Sequence, residues 1–113
     1  MTYCSTYIGD LDDPSFEWDG GDWNGNIPRN IGPRFPPAPE HYNGRFHSWV
    51  AKTRVTCKQT DFDGWVALVN KQQILDYIEY CYGADTKADL ETLIMFVNTF
   101  DGSKQYGLVA ECY

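Results

Sequence analysis

The chain has 113 residues, 42% hydrophobic and 16% aromatic, with 16 acids against nine Lys and Arg and a net charge of −7. That length excludes two ordinary domains, and the apolar share excludes disorder for the chain as a whole. The acidic total argues against nucleic acid as a direct partner, because phosphate contacts need a basic footprint.

The charge is unevenly spread. Residues 1–26 carry Asp10, Asp12, Asp13, Glu17, Asp19 and Asp22 with no Lys or Arg. Residues 27–60 carry Arg29, Arg34, Arg45, Lys52, Arg54 and Lys58 against Glu40 alone, and residues 61–113 are acidic again. The first residues show neither the basic nor the apolar region of a signal peptide, and no apolar run approaches the ~20 residues of a membrane span. A cytoplasmic protein with no membrane partner is therefore expected. Cys4, Cys57, Cys81 and Cys112 form no C-x-x-C pair and are expected as free, buried or half-buried thiols.

Residues 1–44 hold all six prolines and six of the ten glycines, so a long irregular arm is expected there. Tyr3, Tyr7, Ile8, Phe16, Trp18, Trp23 and Phe35 make it too apolar for a free solvated tail. It is expected to lie against the remaining domain, residues 45–113, or against a partner.

Beyond residue 44 the periodicities are legible. Trp49, Ala51, Thr53, Val55 and Cys57 alternate with Val50, Lys52, Arg54, Thr56 and Lys58, which reads as a strand with one basic face. Thr60-Asp61-Phe62-Asp63-Gly64 reads as a turn, and the apolar run Trp65 to Val69 as a second strand. Asn70, with Gln73 three residues on, has the pattern of a capping box. Ile74, Leu75, Ile78, Cys81 and Tyr82 follow at helical spacing, and Gly83 is placed to end that helix. A second helix is expected from Thr86, with Leu90, Leu93, Ile94, Val97 and Phe100 on one face. Tyr106 to Tyr113 reads as a last strand. The fold class is α+β in the order β-β-α-α-β, a small antiparallel sheet with two helices packed on one face. The irregular N-terminal arm is the candidate cover for the other face.

Catalytic signatures are absent from the sequence. The Asp-rich stretches Asp22-Trp23-Asn24-Gly25 and Asp61-Phe62-Asp63-Gly64 fail the EF-hand spacing, so no metal is expected. Neither a phosphate loop nor a dinucleotide fingerprint occurs, so no cofactor is expected. On the expected strand, His47 and Cys57 would stand ~30 Å apart, too far for a nucleophile–base pair. Acids alternating with aromatics, as in Phe16-Glu17-Trp18-Asp19 and Asp22-Trp23, suit a contact surface instead.

These features favour a non-enzymatic inhibitor or adaptor that meets a basic surface on another protein. The composition is similar to that of small phage-encoded proteins that block host nucleases or other defence enzymes in the host cytoplasm. Asp10, Asp12, Asp13, Glu17, Asp19 and Asp22 would occupy a basic groove meant for nucleic acid, with Trp18 and Trp23 as anchors. One alternative is a small structural or assembly subunit whose arm wraps a neighbouring copy, making a homo-oligomer. Another is a small-ligand binder or enzyme using His41, the arginines and a cysteine in a cleft.

Overall fold

The computed structural model describes residues 4–14, 16, 27–36, 43–61, 64–83 and 88–112. In chain order they form β1 (Cys4–Asp10), β2 (Arg29–Asn30), α1 (Asn43–Thr53), β3 (Cys57–Asp61), β4 (Gly64–Asn70), α2 (Lys71–Tyr82), α3 (Ala88–Val97) and β5 (Gln105–Cys112). The strands make one antiparallel sheet in the order β2-β1-β5-β4-β3. The α+β class and the small antiparallel sheet are as expected. Among the described residues there are five strands instead of three, and three helices instead of two.

The extra strands come from the front stretch, which is not irregular throughout. β1 lies between β2 and β5, so it is interior to the sheet. Thr6, Tyr7 and Ile8 are all buried, with both of its faces covered. A strand buried on both sides has no polar face and gives no period-2 signal, which is why Asp and Gly around it dominate the sequence reading. Residues 27–36 then run along the outer edge of β1. Ile31 donates its N–H to Ile8 O at 3.1 Å, and Phe35 donates to Thr6 O at 2.9 Å. Pro28, Pro33 and Pro36 sit in this edge segment, where the missing N–H leaves no ladder bond unmade.

The strand expected over Trp49–Cys57 is a correction, because α1 occupies residues 43–53 and β3 begins only at Cys57. Phe46, Trp49 and Thr53 are spaced for one helical face, and Phe46 and Trp49 are fully buried there. Alternation counted from Trp49 alone could not exclude that period. Thr53 donates its hydroxyl to Trp49 O at 2.8 Å, and Arg54 ends the helix with a φ of 58°. The basic stripe of Lys52, Arg54 and Lys58 is therefore dispersed over a helix, a turn and a strand.

The remaining signals translate directly. β3 and β4 pair back to back across the expected turn, with Asp61 opposite Gly64; Phe62 and Asp63 lie outside the described residues. Asn70 caps α2 reciprocally: Gln73 N–H donates to Asn70 Oδ1, and Asn70 N–H donates to Gln73 Oε1, both at 2.9 Å. Gly83 closes α2 with φ 60° and its N–H on Glu79 O at 2.7 Å. Thr86, the expected start of the next helix, lies outside the described residues; α3 runs from Ala88 to Val97.

The helices cover one face of the sheet. Ile8, Ala67, Val69, Leu108 and Ala110 meet Phe46, Trp49, Ile74, Tyr77, Ile78, Leu90, Leu93 and Val97 in one buried cluster. Each Val, Leu, Ile or Phe side chain among them contributes about 1.5–3 kcal/mol by leaving water. Tyr77 packs its ring against Phe35, Phe46 and Trp49 at 5.7, 6.2 and 5.1 Å between centroids. Burial, and then nearby Cys81, hold its phenol far above the usual tyrosine range, so it stays neutral. On the opposite face Tyr7, Val66 and Val109 form a small buried group with Ile27 against it. Part of the expected arm does cover that face. Pro28 lies so close over Gly9 that a Cβ there would run into its ring.

Candidate functional site

Three of the eight residues expected at the contact surface are described, and all three sit in the turn that leaves β1. Asp10 is the last residue of the strand and Asp12 and Asp13 follow it. The turn is built by short-range bonds. Asp12 donates its N–H to Asp10 Oδ1 at 2.9 Å, and Asp13 donates to Asp10 O at 3.2 Å. Phe16 donates to Asp13 O at 2.9 Å and is buried, so this aromatic packs into the body. An Asp accepting a backbone N–H two residues on is the local preference that makes Asp a turn residue.

Two bases from elsewhere in the chain reach this turn. The Arg29 guanidinium lies 3.4 Å from Asp10 Oδ2, and its backbone N–H donates to Asp13 Oδ2 at 3.2 Å. Lys104, from the loop before β5, places its Nζ 2.8 Å from Asp12 Oδ2. That hydrogen bond to Asp12 raises the Lys104 ammonium above its ordinary range. Asp10 is mostly covered, with 18% of its side chain exposed, whereas Asp12 keeps 72% exposed. The structure thus orders three carboxylates at one end of the sheet, one turned inward and one outward. Glu17, Trp18, Asp19, Asp22 and Trp23 lie outside the described residues.

Sequence reasoning missed Lys104 because it is remote in the chain and its role depends on β1 and β5 being neighbours. From the sequence Arg29, Arg34 and Arg45 read as ties back to the arm's own acids, and the contacts of Arg29 with Asp10 and Asp13 are such ties. Arg34 takes another partner: it stacks over the Tyr7 ring at 4.7 Å and donates to Ser5 Oγ at 2.9 Å. Tyr7 in turn donates its hydroxyl to Glu111 Oε1 at 3.0 Å.

The histidine reading needs a further correction. His47 is on α1, not on a strand with Cys57, so the ~30 Å separation reckoned for a regular strand does not apply. Its ring is exposed and sits edge-on to Trp65 at 4.7 Å and to Phe46 at 5.6 Å. Desolvation lowers its pKa from the ordinary 6.5. His41 lies outside the described residues. Among the described residues, no group of three His, Cys, Asp or Glu side chains is arranged to hold a metal ion, and no helix is long and apolar enough to cross a membrane.

Comparison with protein-family models, curated proteins and solved structures found no match to this chain.

Proposed function

We propose that the chain is a non-enzymatic binding protein that docks its acidic front stretch on a basic surface of another protein. A nucleic-acid-handling enzyme, such as a nuclease of a defence system, offers a groove of the required charge. The observation that supports this reading is the turn after β1, where backbone N–H groups of the chain hold the Asp10 and Asp13 carboxylates and Lys104 holds that of Asp12. Carboxylates ordered in advance lose little freedom on binding, so more of the contact energy appears as affinity.

The pairs with Arg29 and Lys104 do not close the site. The Lys104–Asp12 pair is solvent-exposed, and such pairs contribute only about 0–1 kcal/mol, so an incoming cation can exchange for Lys104 at small cost. Among the described residues Met95 is the one large apolar side chain left broadly exposed, which leaves charge as the leading feature of the described surface.

The test is binding to a panel of basic nucleases across a salt series, for the wild type and for a variant carrying Asp12→Asn, Glu17→Gln, Asp19→Asn and Asp22→Asn. The expected result is an affinity for at least one nuclease that falls with salt and drops tenfold or more, about 1.4 kcal/mol, in the variant. Unchanged affinity in the variant would overturn the reading.

A further inference from the structure

We propose that Lys104 is the internal occupant of a socket for a basic side chain, so that the chain's own ammonium holds the place a partner's lysine or arginine takes on docking. The proposal rests on the docking function given above and names the chemistry met at one point of that surface.

The socket has two walls of different kinds. One is the Asp12 carboxylate, whose Oδ2 lies 2.8 Å from Lys104 Nζ. The other is the Tyr106 ring, with the same ammonium 5.4 Å from its centroid. A cation within about 6 Å of a ring face is attracted by the ring quadrupole, which adds to the pull of the carboxylate. Both walls are set by the chain itself. Asp12 donates its backbone N–H to Asp10 Oδ1 at 2.9 Å. Tyr106 is buried on β5 and stacked on Phe100 at 4.3 Å between centroids. The charges of Asp10 and Asp101 also bear on the ammonium.

Lys104 is less firmly held than the walls. Its backbone belongs to a short turn, in which its N–H donates to Asp101 O at 3.2 Å and Asp101 Oδ1 accepts from the Ser103 N–H and hydroxyl. The side chain beyond that turn is 41% exposed on a flexible stem, and the Asp12 side chain is 72% exposed. Pairs of this kind are marginal, because ordering a long side chain offsets most of the attraction. An incoming ammonium or guanidinium therefore meets a position whose geometry suits a cation and whose present occupant can swing out into water. The internal occupant lowers the apparent affinity by the fraction of time that it fills the socket.

The experiment titrates the full chain with a hexalysine peptide at about 0.15 M salt, where charges more than about 8 Å apart are largely screened. It compares the wild type, Lys104→Met, Lys52→Met, and Asp12→Asn with and without Lys104→Met. Lys52 stands on α1 over the Tyr80 ring, so its removal measures what the loss of one positive charge does by itself. Lys104→Met is expected to bind the peptide about threefold tighter or more, and Lys52→Met to bind as the wild type does. In Asp12→Asn the same Lys104→Met substitution should bring no gain. In the wild type the NMR signals of the Asp12 carboxyl and the Tyr106 ring should move as peptide is added. Equal affinity of wild type and Lys104→Met, an equal gain in Lys52→Met, or a gain that survives in Asp12→Asn would each overturn the proposal. So would wild-type Asp12 and Tyr106 signals that stay in place, a result that decides the matter even where a variant fails to fold. The docking function falls by a different result, unchanged affinity in the nuclease panel, so the two can fail separately.

Discussion

The two faces of the sheet are built to different standards. The helix-side face joins side chains from β1, β4, β5 and all three helices into one dry cluster around Trp49, Tyr77 and Leu108. The opposite face buries Tyr7, Val66 and Val109 under Ile27 and Pro28, which belong to the segment 27–36, whose regular structure among the described residues is the two-residue β2. Stability is concentrated on the first face. Among the described residues the second face also carries the linked Arg34, Ser5, Tyr7 and Glu111 side chains. On the proposed function, the first face is the scaffold and the second lies beside the surface offered to a partner.

Trp49→Ala should have the largest effect, because it empties a fully buried site and also removes the indole N–H that donates to Asp76 Oδ2 at 3.0 Å. A loss of about 3–5 kcal/mol is expected in denaturant unfolding. Gly9→Ala probes the loop-covered face, where the added methyl would meet Pro28. Overpacking predicts about 1–3 kcal/mol, smaller because the loop can shift. A loss as large as that of Trp49→Ala would mean that the two faces are equally rigid.

Asn70→Ala breaks the capping box of α2 and should cost about 1 kcal/mol by the same assay. Arg54→Gly should act in the other direction. Arg54 holds a left-handed backbone conformation at the end of α1, and glycine adopts it without Cβ strain, so stability should rise by up to about 1 kcal/mol. The smallest effect expected is that of pH on His47. Its pKa is lowered on folding, so the unfolded chain binds the proton more tightly. Its contribution is complete above the ordinary value of 6.5 and is lost as the pH falls below it. His47→Gln should flatten the stability profile slightly in that acidic range.

How much of this was legible follows the same division. From Trp65 to Tyr106 the local signals agree with one another: an apolar strand, a capping box, helical spacing and a terminating glycine all lie within a few residues. The front stretch is specified by distant neighbours. β1 is a strand because β5 and residues 27–36 flank it, and nothing within Cys4–Asp10 announces either partner. Trp49 to Thr53 was misread because five residues can satisfy a period of two and one of 3.6 together. The acids of the turn were visible as an acidic cluster, but Lys104 became their neighbour only through the pairing of β1 with β5.

Thermal unfolding of the variant with Asp12→Asn, Glu17→Gln, Asp19→Asn and Asp22→Asn bears most directly on the separation of scaffold from contact surface. Carboxylates reserved for a partner can be neutralised with a change in melting temperature of no more than a few degrees. A fall of roughly 10 °C or more would show that the molecule itself depends on those charges, and would contradict their assignment to a partner.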